Sequence, residues 1–205
     1  MAESRVDAVP DLEFWRTRYR EGRTRWDLGE PSAPARALTD RYLAPHSRVF
    51  IPGCGRGHEA LLLARQGHAV LAVDFAPEPV AELGRAARAA GLTLDLRQAD
   101  IFTLPHDLDG TCDAVLEQTC LCAVGPTRYA DYEALVGRLL KPGGRLLAVL
   151  MEVPGDAPPP FSIPPGTARG LFAAPRWTLE AVEPVRPQDP RRPGPEYTAV
   201  FRKTG

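Results

Sequence analysis

Residues 48–58, Arg48-Val-Phe-Ile-Pro-Gly-Cys-Gly-Arg-Gly-His58, decide the fold of this chain. Arg48 to Ile51 is a short β-branched and aromatic run that reads as a strand and ends at Pro52. Gly53, Gly55 and Gly57 follow, and then a helical pattern from Glu59 to Gln66 with Leu61, Leu62 and Leu63 to bury and Gly67 as its stop. Glycine serves where a backbone turns sharply and approaches a ligand closely. The N–H groups at the start of the helix favour an anionic group. Strand, glycine turn and helix in this order make the nucleotide-cofactor crevice of a Rossmann-like sheet. The spacing is G-x-G-x-G, whereas a dinucleotide fingerprint places its third glycine where His58 stands. Alone, such a turn also suits a plain strand-to-helix reversal without a ligand.

The pattern continues outward. Ala69 to Val73 is a continuous apolar run closed by Asp74, as in a parallel strand covered on both faces. Pro77 to Ala90 reads as a helix, Leu92 to Arg97 and Asp113 to Glu117 as strands. Thr127 is placed to cap a helix running to Leu140, and Arg145 to Met151 is an apolar strand after the Pro142-Gly143-Gly144 break. Trp177 to Val185 and Glu196 to Lys203 read as an antiparallel pair. Upstream, Asp11 caps a short helix to Arg20 that carries Trp15 and Tyr19 on one face. Prolines cluster at 154–165 and 184–195, and both stretches read as loops. The predicted fold is α/β, a doubly wound, mostly parallel seven-stranded sheet with an antiparallel C-terminal edge and an N-terminal helical lid. One domain is expected over 1–205: a lid over 11–34, a cofactor-binding core over 48–151, and a proline-rich loop with the last strands over 152–205.

Composition bounds the function. The 205 residues carry 25 Lys and Arg against 26 Asp and Glu, so there is no basic footprint for nucleic acid or an anionic membrane. No stretch has the length of a membrane helix, and Glu3, Arg5 and Asp7 argue against a signal peptide. Cys54, Cys112, Cys120 and Cys122 are too sparse for a disulfide scaffold and should stay reduced, which points to the cytoplasm. Cys120 and Cys122 share a side at spacing i, i+2, a soft-metal or metalloid possibility; buried inert thiols are the commoner case, and no metal site is assigned. A monomer or weak dimer is expected.

Asp74 stands where it would accept hydrogen bonds from ribose hydroxyls, unless it is a plain solvated strand end. Asp100-Ile101-Phe102 follows the third strand, where an acid and an apolar neighbour suit an adenine ring. With the turn Leu140-Lys141-Pro142-Gly143-Gly144, the series resembles a class I S-adenosylmethionine-dependent methyltransferase. Phe14-Trp15, Arg18-Tyr19, Gly22 and Trp26-Asp27-Leu28-Gly29 are similar to the N-terminal signature of the thiopurine/thiol/halide methyltransferase family. The Pro52 to His58 loop fits it too, as does Leu121-Cys122-Ala123-Val124 with Pro126 and Arg128.

That resemblance implies S-adenosylmethionine as cofactor. It implies that Trp15, Tyr19 and Trp26 close over the methionine end, where a sulfonium gains about 0.5–2 kcal/mol from an aromatic wall. Gly53, Gly55, Asp74, Asp100 and Ile101 carry over as cofactor contacts, together with Glu117 or Gln118 after the fourth strand. The implied acceptor is a small soft nucleophile, most simply a thiol or thiopurine-like sulfur; halide and selenium, tellurium or arsenic species are the alternatives. Its pocket is expected beside Arg128 and Phe161, between the lid and the loop after the fifth strand. Plant members carry a tyrosine near Phe161, so a missing hydroxyl would rank thiols above halides here. A nicotinamide oxidoreductase would want glycine at His58 and a Tyr-Lys pair, and a non-catalytic cofactor-binding module is the other rival. A nucleic-acid methyltransferase is disfavoured, because Pro158-Pro159-Pro160-Phe161 follows the fifth strand and not the fourth.

Overall fold

The centre of the molecule is a seven-stranded sheet in a computed structural model that describes residues 10–154, 158–186 and 194–205. Glu3, Arg5, Asp7, Pro187, Pro190 and Pro193 lie outside the described residues. The strands are β1 (Arg48–Pro52), β2 (Ala69–Asp74), β3 (Asp95–Gln98), β4 (Cys112–Gln118), β5 (Leu140–Met151), β6 (Trp177–Pro184) and β7 (Glu196–Lys203). Their order across the sheet is β3-β2-β1-β4-β5-β7-β6. The first five run parallel, with β1 between β2 and β4. β7 pairs antiparallel with both β5 and β6. The chain order reverses at β1, which opens the crevice where such sheets bind ligands.

The helices are α1 (Leu12–Arg20), α2 (Ala33–Tyr42), α3 (His58–Arg65), α4 (Pro77–Ala89), α5 (Leu121–Val124), α6 (Tyr129–Leu139) and α7 (Pro165–Leu171). Along β1 the pleat sends Val49 and Ile51 to one face and Phe50 to the other, and all three are buried. Val49, Ile51, Leu63, Leu83 and Leu147 pack on the α2–α3–α4 side. Phe50, Val115, Tyr132, Leu139, Leu146 and Phe201 pack on the α6–α7 side. Each such side chain contributes about 1.5–3 kcal/mol by leaving water.

Three local expectations change. The 154–165 proline stretch does not exclude a helix at its end: Pro165 opens α7, much as Pro34 lies in the first turn of α2, whose cap is Ser32. A proline at the start of a helix forfeits only an N–H that has no intrahelical partner. Thr127 is not a cap; residues 126–128 form a 3-10 turn and α6 starts at Tyr129. The Lys141–Gly144 turn is carried within β5, as a shift of register against β4. Asp11, by contrast, caps α1 as its position implies, its Oδ1 accepting from Phe14 N–H at 2.8 Å.

Candidate functional site

The glycine turn is held by close approach from two sides. Gly53, Gly55 and Gly57 have φ of +54°, +53° and +69°. A Cβ on Gly53 would lie 2.9 Å from Cys120 Sγ, and one on Gly57 would run into Leu83 of α4. Cys54 N–H donates to Val73 O at 2.9 Å, which ties the turn to the end of β2.

Asp74 is buried there. Its Oδ2 accepts from Gly55 N–H at 2.8 Å and its Oδ1 from Ala76 N–H at 2.9 Å. Burial pushes its carboxyl up to about 6, against the pull of these bonds. The carboxylate therefore shapes the turn, and its remaining lone pairs face a cavity of about 690 Å³. Asp100 lines the same cavity, with Oδ1 accepting from Phe102 N–H at 2.9 Å, and Ile101 is buried beside it.

The N-terminal segment covers the other side. Trp26 meets Trp15 edge-on at 5.5 Å and Tyr19 at 5.7 Å between ring centroids. Tyr19 Oη reaches over the turn, 3.2 Å from where a Gly55 Cβ would stand. Asp27 clasps the segment to the turn. It accepts from Gly29 N–H at 2.9 Å, lies 2.9 Å from His58 Nε2 and pairs with Arg56. Arg56 also donates to Glu82 at 2.6 Å and to Thr24 Oγ1 at 3.1 Å. The His58 contact, above all, holds the Asp27 carboxyl well below the usual range, and Asp27 in turn raises His58.

The end of β4 departs from expectation. Glu117 does not reach the cavity wall. Its Oε1 accepts from Cys120 and Leu121 N–H, both at 2.8 Å, and Tyr132 Oη donates to Oε2. Glu117 thus fixes the strand tip from behind, and burial pushes its carboxyl up. Both amide atoms of Gln118 are buried with no hydrogen-bond partner among the described residues, and Gln118 is likewise absent from the wall. Thr119 is there instead, at φ +62°. Positive φ is costly for a β-branched residue and marks strain stored where the surroundings enforce it.

Arg128 lines the cavity with Cζ 3.8 Å over the Phe102 ring, while Nε donates to Asp131 at 2.7 Å. Phe161 stands behind the wall: its ring packs on Gly125, and its N–H donates to Cys122 O at 2.7 Å. The hydroxyl argument drawn from Phe161 therefore loses its place; Pro159 and Pro160 line the cavity instead. Phe75, 36% exposed, also lines it and was not singled out from the sequence. Its one signal was its position after the Asp74 strand end.

The donor set fits an adenosyl sulfonium. The strand-to-helix turn is open to a ligand, Asp74 and Asp100 offer carboxylates, Phe75 and Phe102 offer ring faces, and three aromatic rings suit a sulfonium. Among the described residues no group of three or more His, Cys, Asp or Glu is arranged to hold a metal ion.

The sequence model of the thiopurine S-methyltransferase family matches residues 10–199. A thiopurine S-methyltransferase of Xanthomonas campestris is 28% identical, over 93% of this chain and 95% of that protein. Thiocyanate methyltransferase 1 of Brassica oleracea is 26% identical, over 92% and 84%. In fold, the chain is similar to the Burkholderia thailandensis 1,6-didemethyltoxoflavin-N1-methyltransferase, solved with bound 1,6-didemethyltoxoflavin and S-adenosylhomocysteine. That match has a TM-score of 0.79 at 24% identity over 95% of this chain and 87% of the other. The match across nearly the whole chain shows that this protein belongs to the thiopurine S-methyltransferase family and is an S-adenosylmethionine-dependent methyltransferase.

Proposed function

We propose that the acceptor is a thiol or thiopurine-like sulfur. One observation carries this reading: beyond the carboxylates assigned to the cofactor, the cavity wall holds no general base for an acceptor. Among the described residues its wall includes no His, Glu or Lys, and its two carboxylates, Asp74 and Asp100, are the ones this reading gives to the cofactor. Burial pushes the thiols of Cys54 and Cys120 and the phenol of Tyr19 up, away from ionisation. An acceptor that ionises near neutrality by itself needs no base, and thiols do so where alcohols do not.

S-adenosylmethionine supplies an electrophilic methyl group on a sulfonium. The residues that would hold it are Gly53, Asp74, Asp100 and Ile101, with Trp15, Tyr19 and Trp26 against the charged sulfur. Phe75, Phe102, Val124 and Met151 make the remaining wall apolar. That wall excludes water from a thiolate and aligns it, and proximity of about 3–3.5 Å is what in-line displacement requires. Thr119, Cys120 and Arg128 border the acceptor end. Residues 11–34 act as a lid that orders when the cofactor binds. No helix of the described residues is long and apolar enough to cross a membrane. The four free cysteines suit a reducing compartment, and we place the protein in the cytoplasm.

The test is purified protein with labelled S-adenosylmethionine and a panel of thiols, thiopurines, iodide and selenide, with alcohols and amines alongside. Thiols should be methylated ahead of the rest. Preference for iodide over every thiol would overturn the ranking, and methylation of an alcohol or amine alone would overturn the soft-nucleophile reading.

A further inference from the structure

The arginines of the N-terminal segment divide into two sets. On the outer side, Arg16 and Arg20 are matched: Arg16 donates to Glu78 at 3.2 Å and Arg20 at 3.0 Å, and both pair with Glu13. On the cavity side, Arg18, Arg23 and Arg25 line the wall. Arg18 shares a helix face with Trp15 and Tyr19. Its Nε is buried with no hydrogen-bond partner among the described residues, and its Cζ lies 4.3 Å over the Phe14 ring. Its charged neighbours are Arg23 and Glu21, and Glu21 is already paired with Arg23. Two guanidinium groups thus share one carboxylate at the edge of the cavity, and Arg25 adds a third cation to its lining.

We propose that Arg18 and Arg23 form an anion subsite at the cavity mouth that reads a carboxylate carried by the acceptor away from its reacting sulfur. The inference rests on the thiol reading above and narrows it to acidic thiols. Burial lowers the Arg18 pKa and Arg23 lowers it further, against a smaller opposing pull from Glu21. An acceptor carboxylate would satisfy the orphaned Nε and offset the like-charge repulsion at once. The methionine carboxylate of the cofactor has the same chemistry. The acceptor is favoured because Arg23 and Arg25 are exposed at the mouth, whereas Tyr19 covers the glycine turn where the cofactor belongs.

The experiment compares kcat/KM for 4-mercaptobenzoate and thiophenol, two aryl thiols that differ by the distal carboxylate. The protein as it stands should prefer 4-mercaptobenzoate by about tenfold, and the preference should shrink with added salt. Arg18→Gln should lose most of that preference, and Arg18→Gln with Arg23→Gln should bring the ratio to about one. Arg20→Gln, which removes a matched cation from the outer side, should retain the ratio. Equal turnover of the two thiols by the unaltered protein overturns the inference, as does a ratio that survives the double substitution. A double variant whose Kd for S-adenosylmethionine, read by calorimetry, rises while the ratio stays high assigns the arginines to the cofactor and overturns it too. Turnover of neither thiol overturns the thiol reading itself and the subsite with it.

Discussion

The N-terminal segment and the central strands share one cavity but are built by opposite means. β1, β4 and β5 bury Phe50, Val115 and Leu147 completely. α1 has no buried residue. It is held by aromatic edges, by the Asp27–His58–Arg56 clasp and by ion pairs from Arg16 and Arg20 to Glu78. Exposed ion pairs are each worth about 0–1 kcal/mol, whereas a buried aromatic residue is worth several. The same ligand site therefore has a rigid floor and a cover near the low-stability end of the molecule. On the lid reading proposed above, a floor that fixes the turn and a cover that opens would suit a buried methyl transfer.

The sharpest attempt to break this contrast is a pair of truncations read by chemical denaturation. Phe50→Ala should cost about 3–5 kcal/mol of global stability, whereas Trp26→Ala should cost about 1 kcal/mol or less. Equal losses would make the segment part of the core. Next in size is Asp74→Ala, which removes an acceptor from the turn and, on the proposed reading, from the cofactor. Each lost bond to a charged group is worth about 1.5–3 kcal/mol, so affinity for S-adenosylmethionine should fall at least tenfold. Unchanged calorimetric affinity in the folded variant would remove Asp74 from the cofactor site.

A pH series sharpens the floor. Asp74 titrates at about 6 in the folded chain, raised from 3.8 by burial. Its own contribution to stability is thus present below 3.8 and is lost as pH rises through about 6. Hydroxyl donors from a ligand favour the ionised form. Binding of S-adenosylmethionine should therefore release a proton, and affinity should weaken as pH falls below about 6. Calorimetry in buffers of different ionisation enthalpy reads this directly, and a pH-independent affinity from 5 to 7, with no proton released, would contradict it.

The smallest expected effect belongs to the cover. His58 is raised above 6.5, so its share of the clasp is full below 6.5 and fades as pH rises through the folded value. Asp27 is depressed below 3.8, so its share is present above 3.8 and is lost only at stronger acid. Asp27→Asn should speed hydrogen exchange across 12–29 several-fold and shift global stability by about 1 kcal/mol at most. S-adenosylmethionine should slow that exchange in the unaltered protein; exchange equally slow with and without it would remove the lid.

Much of this was legible in the sequence, because the signals are local. The strand, the glycine turn with its left-handed φ, the Asp74 strand end and the Asp11 cap depend on neighbours a few residues away. Alternation of apolar strands with helices then set the parallel sheet and the crevice at β1. The tertiary structure alone decided which way the side chains beyond those signals point. Glu117 turns inward because three buried donors, Cys120 N–H, Leu121 N–H and Tyr132 Oη, converge behind β4. Phe161 fills the space over Gly125, and the strained Thr119 takes the place at the wall. The arginines of α1 look alike in sequence; Arg16 and Arg20 find Glu78 of α4, whereas Arg18 is left at the cavity, because pairing depends on a helix 60 residues away. Local conformation is fixed by sterics and hydrogen bonds between near neighbours. Charge pairing and burial are fixed only when the chain brings distant groups together.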